Sequence, residues 1–245
     1  MNQLFWRAWI GMVVLVVAFA SLGSAAEPEK ADLKVGTLKA KKILFLGNSI
    51  TLHGPLESIG WKGNWGMAAT SQEKDYVHLV TAQVQKATGG KPEIFVRNIA
   101  DFERNHTTYD VAKSLKEALD FQADIVVVAI GENVPALSTP EAQANYHKAF
   151  DGLLDELHKN PNVTVFVRST FWTDPTKNSI MAECCHRASD VFVDLGGLDK
   201  DEKNFARSEQ KIEHAGVAGH PGDTGMKAIA DAIWKAIEKR GQGAK

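Results

Sequence analysis

Ile43-Leu44-Phe45-Leu46-Gly47-Asn48-Ser49-Ile50-Thr51 decides how this chain is read. Four apolar residues in a row mark a strand buried on both faces. Glycine then closes the strand in a tight turn, and a serine hydroxyl stands just past it. The strand fixes that hydroxyl, and the turn exposes it to a crevice and to nearby backbone N–H groups, which suits nucleophilic attack. Strand-Gly-x-Ser turns also occur where serine only caps a helix. A second element, Gly219-His220-Pro221-Gly222-Asp223, adds weight. Serine after the first strand and histidine before the last helix is one chain order in which a Ser-His pair assembles.

Outward from that stretch, apolar runs at 43–46, 93–98, 125–130, 163–168 and 191–193 read as strands. Amphipathic segments at 76–87, 109–121, 141–159 and 179–188 separate them, and a last helix covers 224–239. Breaks at 120–124 and at Asn160-Pro161-Asn162 divide helix from strand. Continuous apolar strands alternating with helices predict the α/β class: a parallel five-stranded sheet with helices on both faces, a three-layer α/β/α sandwich. There is no internal repeat and no linker that would split the chain.

The first 26 residues read as a signal peptide. Arg7 is the only charged side chain before Glu27, an apolar run covers 8–20, and small residues at 21–26 offer cleavage after Ala26. An uncleaved anchor is the alternative, since the uncharged stretch is nearly long enough to span. No cysteine lies near the cleavage region, which excludes lipid attachment there. The expected organisation is a leader (1–26), a polar, lysine-rich lead-in (27–42) and one domain (43–245). The mature chain would be exported, periplasmic or secreted, with no stable membrane insertion.

Losing Arg7 moves the formal charge only from −2 to −3, which argues against nucleic acid as a partner. The two cysteines, Cys184 and Cys185, are adjacent and read as core thiols on a helix. The histidines share no metal-ligand spacing, so no metal and no cofactor is expected.

Residues 54–74 do not fit the short-loop expectation. They carry four glycines and the tryptophans Trp61 and Trp65, directly after the serine turn. Such a loop at the carboxyl edge of the sheet either lines a ligand site or packs on its own aromatics. Asn48, His53, Trp61, Trp65 and Trp172 are the candidates to line the substrate.

These blocks resemble the SGNH hydrolases, the GDSL esterase/lipase family, over the whole mature domain. Gly47-Asn48-Ser49-Ile50 stands where the family has Gly-Asp-Ser-Leu/Ile, and Gly131-Glu132-Asn133 matches its Gly-x-Asn. The resemblance implies that Ser49 is the nucleophile and that its N–H, with the Asn133 amide, forms the oxyanion hole. Two blocks depart. Asn98-Ile99-Ala100 replaces Asn-x-Gly, so Ala100 would have to supply the third oxyanion N–H. In place of Asp-x-x-His, Val217 stands three residues before His220. The catalytic histidine then lacks its usual carboxylate. A backbone carbonyl holds the ring, or Glu213 or Asp194 replaces the acid, or catalysis is lost.

The expectation that results is an exported serine esterase on a flavodoxin-like sandwich, with a small ester or acylated glycan as substrate. An O-acetyl group on carbohydrate fits best. A lysophospholipase or thioesterase on the same site is the alternative within enzymes. A degenerate carbohydrate-binding protein is the alternative outside them.

Overall fold

A computed structural model of the chain describes residues 32–243; the expected leader lies outside the described residues. A short antiparallel hairpin, β1 (Lys34–Val35) and β2 (Leu38–Lys39), comes first. The central sheet holds β3 (Lys42–Gly47), β4 (Glu93–Asn98), β5 (Ile125–Ala129), β6 (Thr164–Arg168) and β7 (Val191–Val193). All neighbours are parallel, in the order β4-β3-β5-β6-β7. This is the flavodoxin-like order, and the five strands lie where their apolar runs predict them.

Alternating side chains of each strand fill two separate cores. Ile43, Phe45, Ile125 and Val127 face one layer, which contains α1 (Tyr76–Thr88) and the last helix, α8 (Asp223–Gly241), which follows the one-turn α7 (Ala215–Ala218) in the chain. Leu44, Leu46, Val126, Val128, Val165 and Val167 face the other, formed by α5 (Pro140–Leu157), α6 (Pro175–Ala188) and three short helices. These are α2 (Ala100–Asn105), α3 (Val111–Ser114) and α4 (Lys116–Asp120). Full burial of each such aliphatic side chain contributes about 1.5–3 kcal/mol before chain entropy is counted.

The helix boundaries follow their caps. Asp75 accepts from His78 N at the start of α1, and Gly89, left-handed at φ 73°, ends it. Thr139 and Asp174 cap α5 and α6, each followed by proline in the first turn.

The structure corrects three expectations. The single helix expected over 109–121 starts only at Val111, because Asp110 caps Lys113 N, and it is interrupted at Leu115. Helix α2 was not expected at all; its six residues, half of them charged, are too few to show a helical period. The lead-in, expected to be polar and to precede the domain, packs into it over its described part. Leu33, Val35, Leu38 and Ala40 are buried, and Thr37 donates N–H and Oγ–H to Gly241 O at the end of α8. A Cβ at Gly36 or Gly241 would meet backbone of the other segment at 2.2 Å or less, so this joint requires glycine on both sides.

Register aligns the carboxyl ends that matter. Gly47 pairs with Asn98 on one side and Ala129 on the other. The two strands that follow β3 in the chain therefore flank it on opposite sides. That is the switch point at which open α/β sheets bind ligands. Among the described residues no helix is long and apolar enough to cross a membrane.

Candidate active site

The chain leaves β3 through a turn that only glycine permits: a Cβ on Gly47 would lie 1.8 Å from Thr51 Oγ1. Asn48 O accepts from Thr51 N and Leu52 N, both at 2.9 Å, and Asn48 Oδ1 accepts from Ile50 N at 3.1 Å. Thr51 Oγ1 meets the buried Tyr76 hydroxyl at 2.7 Å and ties the turn to α1. Ser49 projects from this rigid base, and its N–H has no acceptor among the described residues.

Ser49 Oγ lies 2.8 Å from His220 Nε2. The other ring nitrogen, Nδ1, donates to Gly216 O at 2.7 Å. That bond leaves the Nε2 lone pair facing the serine, the tautomer a general base needs. Neither Glu213 nor Asp194 fills the place of the missing acid. A main-chain carbonyl holds it, while Asp194 accepts from Gly196 N two residues on. Val217 turns its side chain into an apolar cluster with Trp61, Met67 and Ala68. The Trp172 ring stands edge-on to His220, with centroids 5.2 Å apart and planes at 90°. Burial pushes the imidazole below the ordinary histidine value, and the Gly216 carbonyl and Glu132 charge oppose this only in part.

Asn98, Ala100 and Asn133 gather beside the serine at the ends of β4 and β5. Asn98 is clamped: its Nδ2 donates to Leu52 O at 2.7 Å and its Oδ1 accepts from Ala100 N at 2.9 Å. Ala100 opens α2, where ordinary helical dihedrals admit a Cβ, so no glycine is required. Its N–H is already shared with Asn98. Asn133 Nδ2 donates to Glu103 Oε2 at 2.7 Å, leaving its second N–H for the cavity.

Beneath the serine turn lies a buried polar network. Asn48 Nδ2 donates to Glu132 Oε2 (2.7 Å) and Glu103 Oε1 (3.2 Å). Glu132 Oε1 accepts from Arg168 Nη1 at 2.6 Å and Phe171 N at 2.8 Å. Burial works to raise Glu132, but the Arg168 guanidinium and the N–H donors outweigh it and hold the carboxyl below the usual range. Burial and the Glu132 charge push Glu103 above that range.

A cavity of about 470 Å³ opens over Ser49, His220, Ala100 and Asn133, with His53, Ile59, Met67, Arg104 and His214 completing its wall. Of the substrate-lining candidates, His53 is on this wall. Asn48 is fully buried below it, and Trp172 stands at the back of the His220 ring, partly exposed. Trp61 and Trp65 are not in the lining. Their rings pack edge-to-face at 5.6 Å, and each indole N–H is spent on a loop carbonyl, His53 O or Ala69 O. The glycine-rich loop is thus a self-packed Ω-like loop, and Gly63 fits between its two rings.

The sequence profile of the GDSL-like lipase/acylhydrolase family matches residues 45–228. This chain belongs to that family. Membership makes it a carboxylic ester hydrolase and accounts for the position of the serine turn after the first sheet strand. No curated protein matches this GDSL-family chain in sequence. Among solved structures it is similar to a protein assigned as a GDSL-like lipase from Bacteroides ovatus (17% identity, TM-score 0.52). That match covers 82% of this chain and 99% of the other. It is also similar to a family two carbohydrate esterase from Clostridium thermocellum solved with cellohexaose (15%, TM-score 0.51). An acetyl xylan esterase from the rumen bacterium Butyrivibrio proteoclasticus matches at 13% with the same score. Each of these two covers 82% of this chain and 64% of its own. At such identities the likeness is one of fold.

Sequence reasoning did not single out Glu103, Glu132, Arg168 or Gly216 in this GDSL-family site. Arg168 carried one signal, a charge ending the apolar run Val165-Phe166-Val167. Gly216 carried none, because every residue has a carbonyl. His147, Asp151 and Cys184 bring ligand atoms within 4.8 Å of one another from α5 and α6, a grouping the spacing hid. Arg187 already pairs with Asp151 at 2.9 Å.

Proposed function

We propose that this protein is an exported serine esterase that removes small acyl groups, O-acetyl on carbohydrate foremost, through a Ser49-His220 dyad. The observation that carries the reading is the 2.8 Å contact between Ser49 Oγ and a His220 ring whose other nitrogen is held by Gly216 O. Ser49 Oγ attacks the ester carbonyl as His220 Nε2 takes its proton. The tetrahedral oxyanion receives the Ser49 N–H and the free Asn133 Nδ2–H, with Ala100 N–H turning from Asn98 toward it. His220 then protonates the departing alcohol. It next activates water against the acyl-enzyme, and Ser49 is regenerated.

A cavity of about 470 Å³, whose wall mixes polar side chains with Ile59, Met67 and Val217, suits a short acyl chain. The names of two structural neighbours, an acetyl xylan esterase and a carbohydrate esterase, agree with a glycan as the alcohol part. The apolar run and small residues before Glu27 support export. One observation favours a glycan-binding protein without turnover: Ala100 N–H is already bonded to Asn98 Oδ1.

Intact mass after exposure to a fluorophosphonate separates the two. A single adduct on the wild type, absent from Ser49→Ala and much slowed in His220→Ala, is expected. Release of acetate from acetylated xylo-oligosaccharides then tests the substrate. A folded wild type that takes no adduct overturns the esterase reading.

A further inference from the structure

Glu103 is a buried carboxylate that forms no ion pair among the described residues; the nearby guanidinium of Arg168 is bonded to Glu132. Burying such a charge without a cation is costly. Its compensation is four N–H donors. Oε1 accepts from Gly131 N at 2.6 Å, Asn133 N at 3.1 Å and Asn48 Nδ2 at 3.2 Å, and Oε2 accepts from Asn133 Nδ2 at 2.7 Å. All four come from the two short segments that flank the reacting atoms: three from the turn after β5 and one from the residue before Ser49. A single carboxylate therefore ties the nucleophile's turn to the segment bearing the side-chain oxyanion donor.

A side-chain amide can face its surroundings in two ways, turned by 180°. At Asn133 that choice decides whether the cavity receives an N–H or a carbonyl oxygen. An ionised carboxylate only accepts, so Oε2 compels Asn133 to present its NH2 group. The next residue of α2 reads the opposite end: Arg104 Nη2 donates to Asn133 Oδ1 at 3.3 Å. Both ends of the amide are thus matched by consecutive residues of α2.

We propose that Glu103 is a positioning residue that fixes the direction in which the Asn133 amide donates to the oxyanion. This rests on the esterase reading of the same site. In Glu103→Gln the size is kept, but an NH2 group replaces one acceptor and faces the Asn133 NH2. The Asn133 amide then turns over and offers its oxygen to the cavity.

A double-mutant cycle with Asn133→Ala tests this on the full chain, using p-nitrophenyl acetate. Glu103→Gln is expected to lower kcat about tenfold or more, with KM changed less than about threefold. In the Asn133→Ala background the same substitution should change kcat less than about threefold. Equal losses in both backgrounds, or no loss in either, would overturn the proposal, since a carboxylate that only supports the fold acts in both.

A second readout needs no turnover and no variant fold. One Asn133 side-chain amide proton of 15N-labelled wild type should lie well downfield of ordinary asparagine amides and exchange slowly. Two protons in the ordinary range that both exchange rapidly would overturn the proposal even if Glu103→Gln failed to fold. Fluorophosphonate labelling of the wild type, read separately, decides the esterase reading itself.

Discussion

His220 Nδ1 and Gly216 O lie 2.7 Å apart on one helical turn, four residues from each other in the chain. A carbonyl holds an imidazole in place and selects its tautomer as a carboxylate does, but brings no full negative charge to steady the imidazolium. The carbonyl therefore orients the histidine and raises its basicity only in part, and burial outweighs it.

That arrangement predicts the pH dependence. Burial lowers His220 below the ordinary value of about 6.5. The free enzyme should keep its neutral base down to mildly acidic pH, and log kcat/KM should fall with a single acid limb centred below that value. The same shift has a stability consequence. Between the folded and unfolded values the unfolded chain binds more protons, so the contribution is present at higher pH and lost as pH falls through the folded value. A limb centred at or above 7 in the kcat/KM profile would contradict this.

Val217→Asp restores the family's residue type without restoring its function. The Val217 side chain is buried against Trp61, Met67 and Ala68, and Gly216 O already occupies Nδ1. An unpartnered carboxylate there should cost about 3 kcal/mol or more. Thermal unfolding should show a clearly lower midpoint, and esterase assays no gain in kcat.

Asn48→Asp would restore the family's usual residue and is expected to fail for an electrostatic reason. Asn48 Nδ2 donates to both Glu103 and Glu132, and among the described residues Arg168, bonded to Glu132, is the one cation paired there. A carboxylate at position 48 would be a third negative charge in that buried space, costing on the order of 3 kcal/mol. Its proton affinity would be raised, so the deficit should deepen as pH rises through that raised value. Urea denaturation of wild type and variant at pH 5 and pH 8 measures it; an equal deficit at both would sink the electrostatic explanation.

Arg168→Met should be among the most destabilising single changes near the site. It leaves Glu132 buried beside Glu103 with its strongest partner removed, a loss of about 3–5 kcal/mol. The combined change to Met at 168 and Gln at 132 should recover much of that, as equilibrium denaturation would reveal.

Trp172→Ala removes an edge-to-face contact worth about 0.5–1.5 kcal/mol from the back of the His220 ring. With Gly216 O still bound to Nδ1, kcat for a small ester should fall only about three- to tenfold. A loss as large as that of His220→Ala would show that the tryptophan, and not the carbonyl, holds the ring.

The layers of this fold were legible because they are written locally. Runs such as Ile125-Val126-Val127-Val128 can be buried only between two layers, and caps such as Asp75 and Thr139 state where helices begin. Ser49 and Asn133 were legible for the same reason: each follows the end of an apolar run, and parallel topology brings those ends together. The tryptophans were not. Trp61 and Trp65 satisfy each other edge-to-face, and a pattern of glycines and rings does not say whether aromatics face a ligand or themselves.

By itself, then, the sequence determined the sandwich, the place of the serine turn and the chain order of serine and histidine, since each depends on periodicity or on a turn that glycine alone allows. Only the tertiary structure decided what holds the His220 ring in place of an acid and which carboxylates meet beneath Ser49. Gly216 contributes a main-chain carbonyl, a group common to all residues, and Glu103 and Glu132 come from separate elements. Hydrogen bonds and charge pairs act over a few ångströms of space, whatever the distance along the chain, so no local pattern could announce them.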